Sequence, residues 1–323
     1  MIQYLVILLD DTSTSYCHYE NTRTERKLIP LADLQAGILF AMKENLTIQF
    51  VYPDYELPKS YQEAIESIDH GLIVPATAST QMKKEADVVV LNGWNELVQL
   101  PRTMPERSDT TAYVLRTCRT DFFTRHSELI NALFHVARLN VVPTDVTHFT
   151  EPDFETYRTT LDTLSKGVER LYAEGRNPQL NLLTDRMMLT GMNNCDAGWK
   201  SLTLAPNGKF YICPAFYLEN EADNVGDPTN GLDIKNPQLY QLDHAPLCRR
   251  CDAYQCKRCV WLNRRTTLEV NTPSHEQCVT AHLERNASRL LLQDIRKHGE
   301  FLPQQKEIKE IAYLDPFEVR EEW

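Results

Sequence analysis

Seven of the nine cysteines fall between residues 195 and 278: Cys195, Cys213, Cys248, Cys251, Cys256, Cys259 and Cys278. The central four read C-x2-C-x4-C-x2-C. A C-x2-C loop turns tightly enough for two thiolates to converge on one metal centre, and thiolates suit zinc and iron–sulfur clusters. Free buried cysteine is the competing reading. Met1 to Leu9 reads as a first buried strand, without the basic start and small-residue cleavage site of a secretory signal. No run of 18 apolar residues is present, so no transmembrane helix is expected. The expected compartment is the cytoplasm, where reducing conditions disfavour a disulfide framework and point the cysteines to metal or redox chemistry.

Spacing and number narrow the metal. Zinc ribbons separate their C-x2-C knuckles by ~12–20 residues, whereas only Asp252, Ala253, Tyr254 and Gln255 lie between the two pairs here. One four-cysteine zinc site would be cramped, and seven cysteines exceed one tetrahedral site. Two [4Fe–4S] clusters take up to about eight thiolates, so seven suggests one full site and one with an unfilled or non-cysteine position. The remaining composition excludes other classes. Asp plus Glu is 45 against 34 Lys plus Arg, a net charge of -11, which disfavours holding nucleic acid or an anionic membrane by bulk charge. The 11 glycines are about half the usual ~7%, and no G-x-G-x-x-G or P-loop is present.

The first half alternates between apolar runs and helical patterns. Strands are expected at Leu5–Leu9, Ile48–Val51, Leu72–Val74, Val88–Leu91, Tyr113–Leu115 and Leu139–Val142, several Val/Ile-rich without in/out alternation. Leu31, Leu34, Ile38 and Met42 recur at helical spacing. Asp121 can cap a helix carrying Leu129, Leu133 and Val136. A longer helix follows Pro152, with Phe154, Tyr157, Leu161, Leu164, Val168 and Leu171 on one face and a stop at Gly175. The pattern predicts an α/β domain with a largely parallel sheet, either open or a partial barrel. Beyond about Leu189 the expectation is a hairpin, Trp199–Leu204 and Lys209–Ile212 around Asn207-Gly208. Mostly loop follows from Asn220 to Pro246. A helix from near His275 carries Val279, Leu283, Ala287, Leu290, Leu291 and Ile295, and a charged tail runs from Phe301 to Trp323.

These residues carry a resemblance. Cys195, Gly208-x4-Cys213, Cys248-x2-Cys251-x4-Cys256-x2-Cys259 and Cys278 resemble the seven-cysteine motif of the SPASM domain. That domain follows the barrel of many peptide-modifying radical SAM enzymes and binds auxiliary [4Fe–4S] clusters. The resemblance implies Cys195, Cys213 and Cys259 at one cluster, and Cys248, Cys251, Cys256 and Cys278 at a second. It implies a radical-SAM-like partial (βα) barrel over residues 1–190, a cysteine-rich SPASM domain over 191–285 with a β-hairpin and C-terminal helix, and the helix end and tail over 286–323. The run from Leu247 to Asn263 is also similar to the C-terminal signature of the CXXX repeat peptide maturase family.

Radical SAM enzymes place C-x3-C-x2-C after the first strand. Here Cys17 can stand first, but Asn21 and Thr24 occupy the second and third positions. The Gly-Gly-Glu segment that binds the SAM amino group is also missing; the nearest stand-ins are Tyr52–Pro58 and Asn92–Glu96. The resemblance therefore implies an iron–sulfur accessory protein, with one or two [4Fe–4S] clusters, that does not cleave SAM itself. Its implied partners are a cysteine-rich precursor peptide and an active radical SAM protein, with no nucleic acid and no membrane. Zinc held by the same cysteines in a peptide-binding adaptor is the alternative. Cys17 and Cys118 stand apart and read as buried structural cysteines, and the nine histidines form no metal-site pattern. Arg249, Arg250, Lys257, Arg258, Arg264 and Arg265 form a basic cluster that reads first as compensation for negative thiolate-ligated centres, and second as a docking surface for an acidic partner.

Overall fold

The structure, a computed structural model, describes residues 2–103, 108–311 and 313–316. In chain order its elements are β1 (Tyr4–Leu8), α1 (Leu31–Glu44), β2 (Thr47–Val51), α2 (Lys59–Glu66), β3 (His70–Pro75), α3 (Thr80–Glu85), β4 (Val88–Leu91), α4 (Trp94–Thr103) and β5 (Ser108–Thr117). There follow α5 (Arg119–Arg125), α6 (Ser127–Ala132), β6 (Val136–Pro143), α7 (Glu151–Ala173), β7 (Gln179–Leu180) and α8 (Asn181–Met188). The last are β8 (Ser201–Leu204), β9 (Phe210–Tyr211), α9 (Pro214–Glu219), β10 (Gly226–Asp227), β11 (Gly231–Leu232), α10 (Val260–Thr267) and α11 (His275–Ile295). The chain divides into two compact units, Met1–Val90 with Cys195–Ala245, and Leu91–Asn194 with Pro246–Trp323. The α/β class read from the sequence holds in both.

In the first unit the strand order is β4-β3-β2-β1-β8-β9. All neighbours are parallel except β9, which returns antiparallel on β8 with Thr203 opposite Tyr211. This is the expected hairpin, and Gly208 supplies its left-handed turn residue at φ 73. β1 is central, and Leu5, Ile7 and Leu9 have no solvent exposure. Helix α1 buries Leu34, Ile38 and Ala41, whereas Met42 is 61% exposed. The expected stripe is corrected here: a period of 3.6 brings the residue three after Ile38, not four, onto the core face. Gly37 allows close approach, since a Cβ there would lie 2.2 Å from Leu204 Cδ2.

In the second unit β7, β6 and β5 pair in that order, all parallel. Among the described residues neither strand set closes on itself. The single helix expected from Asp121 is instead two short ones, α5 and α6, and Val136 begins β6. Its run of β-branched and apolar residues is satisfied by pairing with β5. Helix α7 starts at a capping box between Thr150 and Asp153, buries the expected face, and is followed by Gly175 at φ 78. Helix α11 starts at a second capping box, Ser274 with Gln277, and buries Cys278, Leu283, Ala287, Leu291 and Ile295. Leu290, expected on that face, is 44% exposed.

The tail is fastened as far as Pro316. Arg296 donates to the carbonyls of Phe301 (3.2 Å), Leu302 (2.9 Å) and Gln305 (2.9 Å). Phe301 stacks edge-on against Tyr172, Ile308 is buried, and Asp315 pairs with His275. Residues 317–323 of the expected tail lie outside the described residues. Among the described residues no helix is long and apolar enough to cross a membrane.

Candidate metal centre

Four of the seven grouped cysteines come together inside the second unit. Cys248 opens a single 3-10 turn, Cys248–Arg250, and Cys251 follows it with its N–H on the Cys248 carbonyl at 3.1 Å. Cys256 lies one further turn along, its N–H on the Ala253 carbonyl at 3.0 Å. Cys278 projects from the start of α11. All four cysteines line one small cavity of about 20 Å³, partly open to solvent. Arg258 and His282 share its wall.

The thiols feel one another. Burial pushes Cys248 up to about 12, with the Arg258 charge pulling it down and Cys251 adding to the rise. Burial, then Cys248, raises Cys256; burial, then Cys256 and Cys248, raises Cys278. Burial raises Cys251 as well, partly opposed by the Ala253 N–H at 3.4 Å from its sulfur. Without a metal these groups are neutral thiols at physiological pH, because a buried thiolate is costly to desolvate. A bound cation reverses that preference and takes the protons' place.

His282 is 2% exposed, and burial lowers its pKa, so its imidazole is neutral. Its Nδ1 lies 2.5 Å from the Leu314 carbonyl, which can only accept, so the ring proton sits on Nδ1. Nε2 then faces Cys251 Sγ at 3.5 Å as an acceptor. Behind this wall Asp252 receives Arg285 (3.0 and 2.8 Å) and Arg186 (3.1 Å). Burial pushes the Asp252 carboxyl up, but the two guanidiniums outweigh it and hold it below the ordinary carboxylate range. Arg285 has no solvent exposure.

The donor set is four thiols, which suit zinc or an iron–sulfur cluster. Ligands of one tetrahedral zinc, at ~2.3 Å from the metal, stand roughly 3.8 Å apart. Among the described residues no group of three or more His, Cys, Asp or Glu side chains stands where it could hold a metal ion. The four cysteines line one cavity, and four thiolates are the ligand number of a [4Fe–4S] core.

The other sequence-selected cysteines lie elsewhere. Cys259 is in the second unit, at the N-cap of α10. Cys195 and Cys213 are in the first, Cys195 exposed with its carbonyl accepting from Ser201 Oγ (3.2 Å), and Cys213 at the N-cap of α9. Burial, then the neighbouring Tyr19, Cys17, Cys213 and Cys195, raises the Tyr16 phenol well above its ordinary value. Cys17, set aside in the sequence, thus shares a neighbourhood with Cys195 and Cys213. Cys17 and Cys118, expected to be buried, are only half-buried: Cys17 lies on an irregular loop and Cys118 at the N-cap of α5.

The loop after β1 is filled by a polar network that sequence reading missed. Asp10, with no exposure, accepts from the Thr12 N–H (2.8 Å) and the Tyr55 hydroxyl (2.8 Å). Asp11 accepts from the Tyr217 hydroxyl and from Arg23 (3.0 Å), whose guanidinium also lies 4.2 Å over the Tyr217 ring. Asn21 Nδ2 donates to the carbonyls of Asp11 (2.8 Å) and Ser13 (2.9 Å), pinning the loop. The available signal was the Asp10-Asp11 pair directly after an apolar strand, since buried carboxylates need partners.

No protein-family model matches the sequence, and no curated protein matches it. Solved structures do match. Hexahistidine-tagged anSMEcpe with bound AdoMet superposes at a TM-score of 0.62 and 10% identity, covering 92% of this chain and 100% of that one. Native anSMEcpe with bound AdoMet and Kp18Cys peptide gives 0.60 and 11%, covering 91% and 99%. Streptococcus suis SuiB bound to precursor peptide SuiA gives 0.45 and 14%, covering 74% and 64%, too low a score to establish likeness. At such identities the similarity to anSMEcpe is one of fold, and the chain is an α/β protein of that fold.

Proposed function

We propose that this chain is an iron–sulfur accessory maturase that takes part in modifying a cysteine-rich, ribosomally made peptide beside an active radical SAM partner. The observation that carries the reading is the convergence of Cys248, Cys251, Cys256 and Cys278 on one cavity. These four would hold one [4Fe–4S] cluster. A bound cluster would supply one-electron transfer, or an open iron to which a substrate thiolate can bind.

Two further points support it. The anSMEcpe structures of similar fold carry AdoMet, and one also carries a peptide. In this chain Asn21 occupies the second cysteine position of a radical SAM loop and is committed to two backbone carbonyls. One thiolate, Cys17, cannot hold the cluster to which SAM binds, so SAM cleavage is assigned to the partner.

The test is iron and acid-labile sulfide content of anaerobically purified protein. Both should be present, and Cys278→Ala should lower both. Stoichiometric zinc without sulfide overturns the reading in favour of a structural adaptor. Formation of 5′-deoxyadenosine by the purified chain alone overturns the accessory assignment.

A further inference from the structure

The charged tail contains one apolar run, Ile311-Ala312-Tyr313-Leu314, followed by Asp315-Pro316. A residue before proline is biased to extended backbone, and proline fixes its own φ, so the end of this stretch is prepared to lie flat along a neighbour. In the second unit Tyr313–Pro316 lies along α11. The Leu314 carbonyl is 2.5 Å from His282 Nδ1, the Tyr313 ring stands edge-on to the His282 ring at 5.5 Å, and Asp315 pairs with His275 Nδ1. Asp315 is 4% exposed, and Pro316 is buried and forms part of the wall of the four-cysteine cavity.

The helix register explains why this segment meets the cysteines. His275, Cys278 and His282 stand at i, i+3 and i+7, which is one stripe of the helix. A segment fastened to both histidines lies beside the cysteine between them, and Cys278, His282 and Pro316 line the cavity together. Most of the remaining wall is the loop from Leu247 to Arg258 and the stretch from Pro273 to His282, which carry the four cysteines. At about 20 Å³ the cavity has room for about one water molecule. A peptide thiol or a chelator is larger than that, so its entry needs a wall to move. Tyr313–Pro316 can move away without carrying a cysteine with it.

We propose that Tyr313–Pro316 is a strap that closes the four-cysteine cavity, and that its release from His275 and His282 admits thiols, thiol reagents and chelators to the cysteines. The strap concerns access alone. It goes beyond the function proposed above and does not need it, since it holds whether the cavity carries a cluster, zinc or no metal. In a peptide maturase it would set when a substrate cysteine can enter.

The experiment compares the anaerobically purified full chain as wild type, Asp315→Ala, Tyr313→Ala and the exposed control Lys309→Ala. Metal content is measured first. Protein that holds metal is challenged with EDTA and its rate of metal loss is read. Metal-free protein is challenged with iodoacetamide, and alkylation of Cys248, Cys251, Cys256 and Cys278 is followed by peptide mass spectrometry. In either arm alkylation of Cys118, in the same unit but outside the cavity, reports general loosening. Losing a charge-assisted hydrogen bond should release the strap about tenfold more often, so Asp315→Ala should speed metal loss or cavity alkylation by about that factor. Tyr313→Ala, which loses an aromatic contact, should speed it severalfold, and Lys309→Ala should leave it unchanged. Wild-type rates in Asp315→Ala and Tyr313→Ala overturn the strap. Acceleration in Asp315→Ala alone also overturns it, because a lost charge and not a released segment then explains the rate. An equal acceleration at Cys118 overturns it as well. Where Asp315→Ala fails to fold, Tyr313→Ala decides.

Discussion

Replacing Glu284 with Gln should remove a large pH dependence of stability from the second unit. Glu284 sits on α11 with Oε1 accepting from the Tyr157 hydroxyl at 2.7 Å and Oε2 from Gln255 Nε2 at 3.3 Å. Burial raises its pKa from 4.5 to about 7; the two hydrogen bonds oppose the rise without cancelling it. Below the unfolded value of 4.5 the carboxyl is protonated in both states, and its contribution to stability is fully present. As pH rises, the unfolded chain ionises first, and that contribution is lost until the folded carboxyl also ionises near 7. At 1.36 kcal/mol per unit the loss is about 3 kcal/mol. Gln keeps the side chain's shape but cannot ionise. Urea unfolding of wild type and Glu284→Gln, at matched metal content and in steps from about pH 4.5 to about 8, checks this. The variant should gain about 3 kcal/mol relative to wild type across the window. A difference that stays constant with pH would refute the reasoning.

Two further substitutions test the frame around the cavity. Asp252→Ala leaves the guanidiniums of Arg285 and Arg186 without their shared carboxylate, and should lower stability by about 3–5 kcal/mol in urea unfolding; a loss under ~1 kcal/mol would show that the ion triad is dispensable. Ser274→Ala removes the side-chain acceptor of the Gln277 N–H at the start of α11, and should cost about 1 kcal/mol by the same assay, with no measurable loss counting against the cap.

The strands and long helices were legible because their signals are local: apolar runs for β1 to β6, helical spacing and a closing glycine for α7. Errors arose where pairing or packing decides. Val136 reads as part of a helical stripe until β5 is there to pair with it. Met42 reads as core until the orientation of α1 puts Ala41 there. The cysteine motif was legible for the same local reason, since C-x2-C brings two thiols together by a short turn.

What the sequence by itself determined was the class of chemistry: thiolates in number, at metal-binding spacing, in an α/β chain whose first loop lacks the cysteines of a SAM-binding cluster. Only the tertiary structure decided which thiols share a cavity. Cys278 reaches Cys248, Cys251 and Cys256 because α11 carries it there, and the same helix brings His282 to Cys251. Nothing in the string separates Arg258 from its basic neighbours, because burial is set by how the chain packs on itself, and desolvation and charge act through space and not along the chain.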